Sequence, residues 1–103
     1  MTYFKEQGNT MVITTKDIML GLKPTLLVSH DFEDGMWEFL DSEELDENET
    51  CIVSLDEMLK LDDSLRVLHD LPLGWIAYRN SINDSWKEEC IDKKIEEFME
   101  GED

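Results

Sequence analysis

The sequence predicts an α+β domain: a mostly antiparallel sheet of about five short strands, with three or four helices packed on it. Three observations lead there. Five short runs rich in apolar and β-branched residues are bounded by turn residues. Two Ser-x-x-Glu capping boxes, at Ser54 with Glu57 and at Ser85 with Glu88, precede stretches with helical apolar spacing. The strand runs follow one another as hairpin-like neighbours, which favours antiparallel pairing. The 103 residues hold no Pro- or Gly-rich linker and no internal repeat. Residues 11–103 are therefore expected as a single domain, behind a flexible tail at 1–10 that Gly8 and Asn9 interrupt.

Residues 11–14 (MVIT) are the first strand. Thr15 can cap a short helix over 16–20, with Ile18, Met19 and Leu22 as its apolar face and Gly21 closing it. Pro24 stops any helix before it. Residues 25–31 form a strand with Leu26, Val28 and His30 on one face and Leu27 and Ser29 on the other. Glu33-Asp34-Gly35 is a turn, Gly35 being able to take a positive φ. The strand at 36–40 pairs back, with Trp37 and Phe39 on one face and Met36, Glu38 and Leu40 on the other. Residues 41–50 (DSEELDENET) are a polar connection with room for one frayed helical turn. TCIVS at 50–54 is a strand, and the capping box at Ser54 opens a helix whose buried stripe is Leu55, Met58, Leu59 and Leu61.

Asp62 and Asp63 end that helix. Asp63 or Ser64 caps a short second one over 65–69, with Leu65, Val67 and Leu68 apolar. Pro72 stops it. Residues 73–79 (LGWIAYR) are apolar on both faces and read as a central strand covered on both sides. Residues 81–84 form a turn. A helix over 86–100 follows, with Ile91, Ile95, Phe98 and Met99 at helical spacing and Gly101 at its end.

Charge narrows the function classes more than any motif does. Twenty-six acids stand against nine bases, a net charge of −17. That repels nucleic-acid phosphates and anionic membranes, and it favours a basic protein partner. No apolar run approaches the ~20 residues that span a bilayer, and the N-terminus lacks a secretory pattern. Cys51 and Cys90 fit a reducing compartment and suggest no disulfide framework. The reading is a cytoplasmic protein of unassigned oligomeric state.

Little else carries chemistry. His30 and His69 lie beside Asp31 and Asp70, but two histidines without spaced cysteines make a poor zinc set, and a cation at His69 suits a helix C-terminus. Cys51 and Cys90 read as small buried hydrophobes rather than nucleophiles. Asp31 to Gly35 and the acids of 41–49 fail the calcium-loop pattern. Phosphate-loop, dinucleotide, nucleophile-elbow and CxxC motifs do not occur. No catalytic residue, metal or cofactor is expected.

The positive signal is a void of basic charge. Between Pro24 and Leu59 there are twelve acids and no Lys or Arg, and ten of the acids fall between Asp31 and Glu49. Threaded through strands that carry Trp37 and Phe39, these carboxylates suit a surface for a Lys/Arg-rich protein. The candidate partner-binding residues are Asp31, Glu33, Asp34, Asp41, Glu43, Glu44, Asp46 and Glu47, with Trp37 as an anchor if exposed. The competing reading is a solvated face with Trp37 in the core.

Six segments carry a resemblance in order: Gly35-Met36-Trp37-Glu38-Phe39, Asp41-Ser42-Glu43-Glu44, Ile52-Val53-Ser54-Leu55, Asp62-Asp63-Ser64-Leu65, Pro72-Leu73-Gly74 and Tyr78-Arg79. They lie within residues 26–79, about half of the chain, and this stretch resembles the immunity protein 33 family of small bacterial proteins. Met36 is an insertion relative to that pattern, and the acidic turn lacks its glycine. The resemblance implies an α+β domain that binds and blocks a toxin from the same genome. It supplies no binding residues. The function expected is therefore an immunity-type inhibitor of a cationic toxin domain. The alternative is a non-catalytic structural or regulatory module of a phage or mobile element, acidic for solubility.

Overall fold

The computed structural model describes residues 4–43 and 46–91. A six-stranded sheet forms the centre, in the order β4-β1-β3-β2-β5-β6. The strands are β1 (Met11–Thr15), β2 (Leu27–His30), β3 (Trp37–Leu40), β4 (Thr50–Ser54), β5 (Trp75–Tyr78) and β6 (Lys87–Cys90). The α+β class agrees with the sequence, but the sheet is mixed. β1 runs parallel to β3 with Ile13 opposite Glu38, and the other four junctions are antiparallel.

The helical elements are α1 (Lys16–Met19), α2 (Leu55–Leu61) and two 3-10 segments, Glu47–Glu49 and Asp63–Leu68. Local chemistry places each. The Thr15 hydroxyl accepts the Ile18 N–H at the start of α1. At α2 both halves of the capping box form: Ser54 Oγ accepts the Glu57 N–H, and the Glu57 carboxylate reaches back to the Ser54 N–H. Asp62, not Asp63 or Ser64, caps the second 3-10 segment by accepting the Ser64 N–H. Gly35 takes φ 72° in the β2–β3 turn, a conformation open to glycine at little cost.

All the buried helical side chains gather on one face of the sheet. Ile18, Leu55, Met58, Leu59, Leu65 and Leu68 meet Val12, Val28, Trp37, Phe39 and Ala77 in one core. Alternation along the strands then assigns the opposite face: Met11, Ile13, Ile52, Leu27, Ser29, Glu38, Leu40, Ile76 and Tyr78, with Lys87 and Glu89 on the edge strand β6. Leu22, Leu61 and Val67 are exposed, against expectation: α1 ends at Met19 before Leu22, and Leu61 and Val67 fall outside the arcs that meet the sheet.

Three further expectations are corrected. Residues 4–10 are not a loose tail. Phe4 packs edge-on against Trp37 with ring centroids 5.0 Å apart, and the carbonyls of Thr10 and Gly8 accept the first two N–H groups of α2. β5 is not covered on both sides: Ala77 is buried, but Tyr78 on the other face is 38% exposed. β6 occupies the start of the helix expected over 86–100. Ladder bonds to β5, with Trp75 opposite Cys90 and Tyr78 opposite Lys87, outweigh the local capping signal of Ser85 and Glu88. Ile91 is helical, and residues 92–100 of that expected helix lie outside the described residues.

Arg79, at the end of β5, ties the layers together. Its guanidinium donates to the Thr25 carbonyl from Nε (3.1 Å) and Nη2 (3.0 Å), and to Asp62 Oδ2 at 3.1 Å. A further bond from Nη1 reaches Ser64 Oγ at 3.2 Å. The Trp86 ring lies 4.1 Å from the same guanidinium. A buried cation is thus matched by three acceptor residues on two segments and one aromatic face.

Candidate functional site

The acids singled out in the sequence fall into two groups at opposite ends of β3. The hairpin tip carries Asp31, Glu33 and Asp34; the connection after β3 carries Asp41, Glu43, Asp46 and Glu47. Glu44 lies outside the described residues. The four-residue strand between the groups is roughly 13 Å long at the usual rise. The acids do not form one continuous patch.

The two groups also differ in neutralisation. Among the described residues, none of the tip carboxylates forms an ion pair. Asp31 and Asp34 instead fold the turn: Asp31 Oδ1 accepts the Glu33 N–H at 2.7 Å, and Asp34 Oδ1 accepts the Met36 N–H at 2.9 Å. Their second oxygens leave negative charge at the tip. At the other end, lysines from outside the charge void arrive. Lys23 Nζ lies 3.2 Å from Asp41 Oδ2 and 3.8 Å from Asp17, and the two carboxylates hold its ammonium above the ordinary range. Lys16 Nζ donates to the Asn48 carbonyl at 3.1 Å, beside Glu47 and Glu49. Asp46 is occupied as a cap, accepting the Asn48 N–H at 2.9 Å.

Trp37 is corrected as an anchor. It is 1% exposed, stacks on His30 at 4.0 Å and on Phe39 at 6.2 Å, and donates its indole N–H to Glu6 Oε2 at 3.1 Å. A residue held on every side offers no surface to a partner. His30 is held by the same cluster, with Nδ1 2.7 Å from the Leu71 carbonyl. That is the geometry of a structural imidazole. Cys51 and Cys90 are half-buried and form no disulfide. Among the described residues no group of three or more His, Cys, Asp or Glu could hold a metal ion, and no helix is long and apolar enough to cross a membrane.

Between the two acidic ends lies the face of the sheet that none of the described helices covers, although Leu40 on it is buried. Ile52 is 64% exposed and Met11 51% exposed there, with Ile13, Leu27 and Ile76 half-buried. Glu38 stands in the middle of this face, opposite Ile13 on one side and Ser29 on the other. Burial, and then the charges of Asp31 and Asp34, push its carboxyl above its ordinary value of 4.5. None of the ion pairs among the described residues involves it. A shallow hollow opens at each end of the face. One of about 370 Å³ is lined by Ser29, Asp31, Glu33, Trp75 and Ile91; another of about 310 Å³ by Leu27, Asp41, Glu43, Ile76 and Tyr78.

Sequence reasoning placed Glu38 on the right face but did not select it, because a block of ten acids hides a single one. The available signal was its position: one carboxylate inside a strand, flanked on its own face by Met36 and Leu40. Comparisons with protein-family models, curated proteins and solved structures found no match for this chain.

Proposed function

We propose that this protein is an immunity-type inhibitor, acting in the cytoplasm, that binds and neutralises a cationic bacterial toxin domain through its acidic surface. One observation carries the reading. The tip acids Asp31, Glu33 and Asp34 project from a folded hairpin with no basic side chain paired to them among the described residues. The net charge of −17 adds a long-range field of the same sign. Such a field steers a basic protein to the surface, and carboxylates standing in for phosphates occlude a nuclease-type groove. The resemblance of residues 26–79 to the immunity protein 33 family supports the same reading. No catalytic step is assigned to the chain.

The test has two parts. Co-expression should restore growth to cells producing a polymorphic toxin encoded beside this gene. With the toxin domain in hand, reversing Asp31, Glu33, Asp34 and Glu43 to Lys should slow association by about tenfold or more and flatten its salt dependence. An unchanged rate and salt slope would mean that another surface makes the contact. An absence of growth rescue would remove the inhibitor reading itself.

A further inference from the structure

Resting on that reading, we infer that the face of the sheet away from the described helices is the contact surface, and that it takes an arginine side chain of the partner, ringed by apolar groups, onto Glu38. The face is built for a partner rather than for water alone. On this face Glu38 lies between Ile13 of β1 and Ser29 of β2, with Leu27 and Leu40 in the next row, Ile52 and Ile76 one strand further out on either side, and Glu89 of β6 beyond Ile76 at the sheet edge. A charge set among apolar side chains loses hydration without gaining a counter-ion, which is costly in the isolated protein. An incoming cation reverses that cost. Arginine fits better than lysine: its guanidinium is less strongly hydrated, meets a carboxylate with two parallel bonds, and lies flat on apolar surface. The acids at the two ends would form a charged rim, and apolar contact around a buried pair supplies the affinity.

Charge complementarity also decides among occupants. A second copy would set Glu38 against Glu38 and two highly acidic surfaces against each other. The chain's own residues 92–103 carry six acids and only two lysines, a poor match for the same surface.

Isotope-labelled full-length protein, titrated with synthetic peptides, tests this by NMR. The probes are an amphipathic Leu/Ile-rich peptide with one central arginine, the same peptide with citrulline in that place, and deca-arginine. The arginine peptide should shift the amides of Ile13, Glu38, Ile52 and Ile76. Citrulline, or the variant Glu38→Gln, should weaken binding by at least about fivefold. Deca-arginine shifting only the hairpin tip, with the face silent to the amphipathic peptide, would overturn this inference and leave the acidic-surface reading standing. Equal binding of the arginine and citrulline peptides would also overturn it. So would concentration-dependent shifts of the face without peptide, which mark a second copy, or contacts from Ile95 and Phe98 to Ile13 and Ile76, which mark the chain's own C-terminal segment. Silence towards every basic probe would remove both readings.

Discussion

Glu38 shows how one residue can be poor for stability and useful for binding. Its carboxyl is raised above 4.5 by burial first and by Asp31 and Asp34 second. The folded state therefore keeps this proton at a pH where the unfolded chain has lost it. Stability from the group is greatest in acid, and it falls as pH rises through the raised folded-state value. Above that value the charged form is a standing cost. Glu38→Gln should accordingly stabilise the protein at neutral pH, by less than about 1 kcal/mol because the group keeps contact with water. The gain should vanish by about pH 3, below the ordinary glutamate value, where the carboxyl is protonated in both states. Urea midpoints of the two proteins at the two pH values measure this. A Gln variant less stable than the parent at neutral pH would mean that Glu38 already has a stabilising partner.

At the scale of elements, what could be read in the sequence was whatever local chemistry decides. Thr15 and Ser54 cap helices because a hydroxyl one to three residues away from orphan N–H groups needs no tertiary context. The β2–β3 hairpin was legible because Gly35 fixes the turn and Trp37 and Phe39 share a strand face. What depends on distant partners was not legible. The parallel junction of β1 with β3 leaves no local trace, and Ser85 with Glu88 gave a valid capping signal that the ladder to β5 overrode. The two-sided apolar pattern of β5 marked one core face and one face that no described helix covers, a distinction that periodicity alone does not make. Residues 4–10 are the sharpest case. Their sequence has the look of a tail, yet Phe4 and Glu6 complete the environment of Trp37. Phe4→Ala should therefore cost about 1–2 kcal/mol in urea unfolding, for a partly buried ring and its aromatic contact. An unaltered midpoint would return this segment to the status of an unpacked tail.

The whole molecule carries a net charge of −17, and salt should act on its stability and on its binding in opposite directions. Like charges at the hairpin tip and along the connection after β3 repel at low ionic strength, and that repulsion opposes the compact state. Raising salt from ~10 mM to ~1 M shrinks the screening length from ~30 Å to ~3 Å. Among the described residues, the attractive pairs that salt could weaken are few. Arg79 with Asp62 is shielded from ions by burial of the guanidinium, and Lys23 with Asp41 is half-exposed and worth little at any salt. Repulsion is therefore the larger quantity removed, and the melting temperature should rise by several degrees; about 4–8 °C would correspond to ~1 kcal/mol in a domain of this size. Over the same interval, attraction of a basic partner should fade, so the complex should weaken while the protein itself becomes harder to unfold. Calorimetry at both salt concentrations measures the first effect, and the association rate of a basic probe measures the second. A melting temperature that falls with salt would show the acids to be stabilised in place by neighbours. A surface already neutralised in that way has no net attraction to offer a cationic protein.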